Sequence, residues 1–139
     1  YILFRTTSMN VNFSNYSLEL DVKKIDRIGQ NCKETSFKFV GHYLDEFLSW
    51  DTHINHVTGK LASANYAINR TKNFLPLNIR TNIYNSLFKS HLEFGILAFG
   101  CAKSAKLKKI SIIQKKCIRN VKNVHYKAHT DPLFFERKF

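Results

Sequence analysis

Between Phe94 and Thr130 the sequence holds nine Lys and Arg and no Asp or Glu. Like charges at helical neighbour positions cost roughly 0.2–0.5 kcal/mol each, so a helix shaped only for stability would mix its signs. Here Lys108, Lys109, Lys115, Lys116, Arg119 and Lys122 fall on one side of a helix expected from about Ser104, a good N-cap, to about Asn123. Leu107, Ile110, Ile113, Cys117, Ile118 and Val121 fall on the other, and Ile112 alone interrupts the cations. Such a face either binds a polyanion or is merely solvated, and the missing acids favour the polyanion. His53, His56 and Lys60 form a second stripe beside an apolar helix edge. They would meet phosphate at the lip of a cleft or simply face water.

Other chemistry is sparse. His53 and His56 are three apart and His125 and His129 four apart, both usable ligand spacings on a helix. No Cys-x-x-Cys accompanies them, so no metal site is expected. Only Asp45 and Glu46 are adjacent acids, beside a helix start where carboxylates are favoured anyway. A two-metal polymerase or nuclease centre needs converging carboxylates. None can be assembled here, and the glycine-rich phosphate loops, the nucleophile elbow and the His-Glu-x-x-His motif are absent. The chain is assigned no catalytic residue, no metal ligand and no cofactor. Cys32, Cys101 and Cys117 are odd in number and widely spaced, as free thiols in a reducing, intracellular compartment would be.

The elements that must carry these groups are bounded by size and charge. The 139 residues suit one domain or two small lobes. The 44% hydrophobic and 14% aromatic content argues against disorder. A net charge of +12 disfavours compaction unless a counter-charge is near, with nucleic acid the first candidate, an acidic membrane surface the second and an acidic protein the third. No run of 18 apolar residues occurs, so no membrane span is expected. The chain starts Tyr1-Ile2-Leu3-Phe4 without Met and stops at Phe134-Phe135-Glu136-Arg137-Lys138-Phe139, as a piece of a longer polypeptide would.

Tyr1–Phe4 reads as the tail of a strand, and Thr6–Asn15 as polar turn. Tyr16, Leu18, Leu20 and Val22 alternate with polar residues, which predicts a half-buried strand. A brief strand is expected at Ile25–Ile28, ended by Gly29, and a longer one over Ser36–Leu44. In the latter, Phe37, Phe39, Gly41 and Tyr43 would share one face, and Lys38, Val40, His42 and Leu44 the other. Gly41 inside a strand marks either a close approach of another backbone or a plain hairpin bend. A helix should begin near Trp50, with Ser49 or Asp51 as N-cap. Its residues Ile54, Val57, Leu61, Ala64 and Ile68 lie within an arc of about 80°. Pro76 should end it. A central packing helix is expected next, from about Leu77 to His91, with Ile79, Ile83, Tyr84, Leu87 and Phe88 apolar. Leu92–Cys101 should be buried, as a helix or an irregular segment. Thr130-Asp131-Pro132 predicts one more helix start.

Taken in order, several stretches resemble the reverse transcriptase of non-LTR (LINE-type) retrotransposons. Lys38-Phe39-Val40-Gly41 resembles the Lys-Phe-Leu-Gly of its primer-grip hairpin, and Leu44-Asp45-Glu46-Phe47-Leu48-Ser49-Trp50 the Ile-Asp-Glu-x-Leu-Ser-Trp that leads into its thumb. His53-Ile54, Leu75-Pro76-Leu77 with Tyr84-Asn85-Ser86-Leu87, and Phe99-Gly100 in place of Trp-Gly come in the family's order. Gln114-Lys115-Lys116-Cys117-Ile118-Arg119 is similar to Gln-x-x-x-Ile-Arg, and His129-Thr130-Asp131-Pro132-Leu133-Phe134 to His-Thr-x-Pro-Leu-Phe. Val40, His42 after the glycine, and Phe99 are departures.

The resemblance implies an α+β fold, a small antiparallel β-unit over residues 1–48 and a basic, thumb-like helical bundle over 49–139. It implies a primer grip at Lys38, Phe39, Val40, Gly41 and His42, with Gly41 admitting the nucleic-acid backbone. The implied thumb contacts are His53, His56, Lys60 and the six cations from Lys108 to Lys122. Implied partners are an RNA template, a DNA primer, the RNA–DNA hybrid and the palm and fingers of the same polypeptide, in nucleus and cytoplasm. The catalytic Phe-Ala-Asp-Asp turn and its Mg2+ would lie upstream of Tyr1. The alternatives are a stand-alone basic helical module that binds nucleic acid, and a basic structural domain that binds an acidic partner.

Overall fold

The computed structural model describes residues 1–6, 8–9, 17–21, 23–28 and 34–135. Thr7 and residues 10–15 of the polar turn, the strand ends Tyr16 and Val22, Gly29 and Cys32 therefore lie outside the described residues. The chain divides into two compact units, Tyr1–His53 and Ile54–Phe139, the first built on antiparallel hairpins and the second on helices. The class is α+β.

In the first unit, β1 (Leu18–Leu20) pairs with β2 (Lys23–Ile25), with Leu18 opposite Ile25 and Glu19 opposite Lys24. Alternation produced the strand but not its burial: Leu18 and Leu20 are 52% and 65% exposed. The second strand comes earlier than Ile25–Ile28 because the chain already reverses at Asp21, whose φ is 47°. Tyr1–Phe4 is not a strand. Scattered backbone bonds hold this end, from the Tyr1 ammonium to the Asp26 carbonyl (3.1 Å), from the Ile28 N–H to the Tyr1 carbonyl (2.9 Å) and from the Arg5 N–H to the Glu46 carbonyl (3.0 Å).

The second hairpin replaces the single strand expected over Ser36–Leu44. β3 (Ser36–Phe39) turns back through Val40-Gly41 into β4 (His42–Asp45), with Phe39 opposite His42 and Lys38 opposite Tyr43. Val40 and Gly41 have φ of 45° and 82°, the two positive angles of a type I′ turn, whose twist matches that of the flanking strands. Gly41 is thus a turn glycine, and the plain hairpin bend accounts for it. The reversal also rearranges the faces. Phe37, Phe39, His42 and Leu44 now share one side, and Ser36, Lys38, Tyr43 and Asp45 the other. Phe37 and Phe39 lie 6.3 Å apart, and Lys38 Nζ lies 6.0 Å from the Tyr43 ring.

Two carboxylates at the end of β4 organise the passage from hairpin to helix. The Asp45 carboxylate accepts from the Phe47 N–H (3.0 Å), the Ser49 N–H (3.0 Å) and the Ser49 hydroxyl (2.8 Å). That pins a loop in which Leu48 and Trp50 take φ of 50° and 63°. Buried Glu46 meets Arg5 at 2.7 Å and also pairs with Arg27, itself only 4% exposed. The loop delivers the chain to α1 (Asp51–Thr71), and the Asp51 N–H donates to Ser49 Oγ at 3.3 Å.

In the second unit the α1 stripe Ile54, Val57, Leu61, Ala64 and Ile68 is buried throughout, as its spacing requires. After Pro76 the run consists of α2 (Leu77–Ile83), a π-helical segment (Tyr84–Lys89) and α3 (Ser90–Glu93), not one uniform helix. The wider π turn places residues four apart almost directly above one another. Tyr84 and Phe88 accordingly stack at 5.2 Å and fill the core, while Ile79 and Leu87 stay 40% and 45% exposed. The segment after α3 is largely uncovered, contrary to its apolar composition. Among the described side chains of its one-turn helix α4 (Ile96–Phe99), Phe99 is buried, while Ile96 is 43% and Leu97 93% exposed.

α5 (Ser104–Lys122) buries Ile110, Cys117, Ile118 and Val121. It ends in Asn123, left-handed at φ 52°, where the N–H groups of Asn123 and Val124 return to the carbonyls of Asn120 and Arg119. α6 (Asp131–Phe135) begins where Thr130-Asp131-Pro132 predicts, and the Phe134 N–H bonds the Thr130 carbonyl.

Candidate nucleic-acid interface

Positive charge is segregated between the units. Ile54–Phe139 carries 16 Lys and Arg against three Asp and Glu, whereas Tyr1–His53 carries six against seven. The second unit therefore holds the whole cationic excess. On α5, Lys108, Lys109, Lys115 and Lys116 are exposed and make no ion pair among the described residues. Ile112, 46% exposed, sits in their midst. Arg119 and Lys122, expected on the same open face, are only half-exposed. Arg119 Nε donates to the Ala128 carbonyl at 2.8 Å, which fixes the guanidinium in place.

In the first unit the β3–β4 turn forms an apolar tip: Phe39 is 59% and Val40 73% exposed, with Lys38 exposed beside them. Gly41 and His42 are half-buried. His42 faces inward. Its Nδ1 lies 3.4 Å from His53 Nε2, and its ring meets Trp50 edge-on at 6.4 Å.

His53 is the clearest departure from the expected stripe. It is 1% exposed, with its ring tilted against His42 at 4.9 Å and edge-on to Trp50 at 6.1 Å, while His56 and Lys60 remain exposed. The Tyr43 N–H donates to His53 Nδ1 at 3.4 Å. A neutral ring accepting there carries its proton on Nε2, which then donates to His42 Nδ1. His53 thus ties the hairpin to the start of α1 and does not reach a phosphate from the surface.

A cleft of about 340 Å³ in the second unit joins Lys116 and Arg119, expected from spacing, to residues that spacing alone did not select. Asn65, Asn69 and Lys72 line it from α1 and the turn beyond, and Lys116, Arg119 and Asn120 from α5, with Val124 and Tyr126 closing it. Asn120 Nδ2 donates to Asn65 Oδ1 at 2.8 Å, and Lys72 Nζ donates to Asn120 Oδ1 at 3.4 Å. Buried Arg80 donates to the Asn120 carbonyl at 3.4 Å and has no ion-pair partner among the described residues. The signal for the cleft was present in the sequence. Asn is a poor residue for a helix interior, yet Asn65 and Asn69 recur at i, i+4 and continue to Lys72, and Lys116, Arg119 and Asn120 repeat the i, i+3, i+4 pattern.

Beneath this surface, burial pushes the Cys117 thiol up to about 12. Burial also raises Tyr84, partly opposed by its hydrogen bond with Gln114. Among the described residues no three His, Cys, Asp or Glu side chains converge on a point where they could hold a metal ion, and no helix is long and apolar enough to cross a membrane.

Compared with known proteins, the chain is similar to the RNA-directed DNA polymerase from mobile element jockey of Drosophila melanogaster, 29% identical over 99 residues. The match covers 68% of this chain and 11% of that protein, so the chain spans only a small part of the relative's length. No family model matches the chain, and no solved structure does.

Proposed function

We propose that the chain is a non-catalytic segment of an RNA-directed DNA polymerase of the non-LTR type, in which the β3–β4 hairpin grips the primer and the helices act as the thumb. The observation that carries this reading is the exposed Lys108, Lys109, Lys115 and Lys116 face on a unit with 16 basic and three acidic residues. The similarity to a segment of the jockey polymerase supports it. Lysines presented from one rigid helix meet phosphates of a duplex as point charges, which positions the nucleic acid without reading its sequence. Phe39 and Val40 at the hairpin tip offer an apolar contact to sugar and base, with Lys38 reaching the adjacent phosphate.

The chemistry of polymerisation belongs elsewhere in such an enzyme. The described residues bring together no carboxylate cluster that fits paired Mg2+ ions, so the ions and the catalytic acids would be supplied by the preceding palm of the same polypeptide. RNA template, DNA primer and their hybrid are the partners, and the free thiols Cys101 and Cys117 suit a reducing nucleus and cytoplasm.

The test is fluorescence anisotropy of the chain with two blunt RNA–DNA hybrids of unrelated sequence, at low and physiological salt. Similar affinity for both and marked weakening by salt are expected. Sequence-selective binding would instead indicate a stand-alone reader of bases. Displacement of the hybrid by polyglutamate at equal charge would point to an acidic protein.

A further inference from the structure

We propose that the cleft between α1 and α5 seats one unpaired nucleotide of a single strand. Its phosphate would lie among Lys72, Lys116 and Arg119, and its base against Tyr126 with the amide of Asn69 at the base edge. This extends the polymerase reading to a second nucleic-acid site and rests on it only in taking the unit to bind nucleic acid.

The cleft differs in kind from the lysine face. A duplex lies along a surface, whereas a recess of about 340 Å³ has the size of a small-molecule site. Its three cations come without any acid: no Asp or Glu lines it, and none occurs between Asp51 and Glu93 or between Glu93 and Asp131. Lys116 makes no hydrogen bond or ion pair among the described residues, and Arg119 is anchored through Nε to the Ala128 carbonyl, leaving its two terminal nitrogens for a ligand. A phosphate alone would need nothing more. The remaining lining is of another chemistry. Asn65 and Asn120 are locked to each other, but Asn69 keeps a free amide, with both a donor and an acceptor for a base edge. Val124 adds an apolar wall. Tyr126 is 70% exposed, with the tilted His125 ring at 4.4 Å and the Lys127 ammonium 5.6 Å from its own ring. Cations that track a backbone beside an aromatic plane are the elements of single-strand binding, where each stacked base contributes about 1–3 kcal/mol.

The experiment measures binding of the full chain to the octanucleotides U8 and dT8, to an eight-residue abasic strand, and to a blunt RNA–DNA hybrid. Tyr126→Ala and Asn69→Ala are compared with wild type, and both side chains are exposed, so thermal melts should match. Loss of a stacked base corresponds to at least a fivefold weakening, expected for U8 and dT8 with Tyr126→Ala, and loss of one hydrogen bond at the base edge to at least about twofold, expected with Asn69→Ala. Binding of the hybrid and the abasic strand should change less than twofold. A loss under fivefold on the octanucleotides with Tyr126→Ala, or an abasic strand bound as tightly as U8, overturns the proposal and leaves a phosphate site only. U8 and dT8 separate an RNA seat from a DNA seat. If the hybrid binds and neither octanucleotide does, this inference fails while the polymerase reading stands. If nothing binds, both fail.

Discussion

Val40 occupies a conformation that β-branched residues avoid. At φ 45° its Cβ crowds the following carbonyl, a strain of roughly 1–2 kcal/mol that Asn tolerates better. Val40→Asn should therefore raise the melting temperature of the chain, and differential scanning fluorimetry reads the shift. If the tip meets the primer, the same variant should bind the RNA–DNA hybrid less tightly even though it is more stable. Opposite movement of stability and affinity is the signature of a residue kept for contact. Glu46 sits at the other extreme, a buried acid between two guanidinium groups. Glu46→Ala leaves Arg27 charged and buried without its carboxylate, a loss of about 3–5 kcal/mol by analogy with other broken buried pairs. Glu46→Gln, which keeps one acceptor, should lose less, and urea titration ranks the two. Cys117 makes a third case. Its thiol is raised from the usual 9.0 to about 12 by burial, so the folded chain holds the proton more tightly than the unfolded one. Its contribution to stability is complete below pH 9 and is lost as pH climbs from 9 toward 12. In a Cys32→Ser background, a thiol reagent at neutral pH should label exposed Cys101 and spare Cys117 until the chain unfolds.

At the scale of elements, α5 is where charge and packing are cleanly separated. Reversing Lys108 and Lys115 to Glu replaces two exposed ammonium groups and disturbs no buried contact, so the melting temperature should hold within a few degrees. If those lysines meet phosphates, hybrid affinity should fall at least tenfold and the salt dependence should flatten; an unchanged slope would mean a solvated face. Helices such as this one were legible from spacing, because the apolar period is local and sets both the α1 stripe and the α5 core residues. The β3–β4 reversal was not. A two-residue hairpin normally announces itself with Asn-Gly, and Val40-Gly41 hides the turn behind a residue that favours strands. The π-helical segment Tyr84–Lys89 was hidden for a different reason, since nothing in the period distinguishes it from the α-helices it joins. His53 looked like part of a surface stripe with His56, and only the inward turn of His42 and Trp50 removes it. The cleft depends on which faces of α1 and α5 meet. Its two polar stripes were visible separately, but their pairing is a tertiary fact.

At the scale of the whole molecule, a near-neutral hairpin unit is joined to a strongly basic helical one. That division makes salt dependence the most informative measurement, because each phosphate neutralised releases counterions and adds to the slope of log K against log salt by about 0.9. The open lysines Lys108, Lys109, Lys115 and Lys116 are four such contacts if a duplex lies along α5. Arg119 and Lys122 are half-buried and add less. Four contacts predict a slope of roughly −3.6, so affinity for the hybrid should fall about 100-fold between 50 and 200 mM salt. A single strand held in the cleft by Lys72, Lys116 and Arg119 makes three contacts, each worth about 0.7, for a slope near −2. The two slopes are far enough apart to be resolved in one titration series. A hybrid slope steeper than about −6 would mean that cations beyond α5, such as Lys60 and Arg70 on α1, join the interface. A slope near zero would show that the charge excess of the second unit serves something other than a polyphosphate.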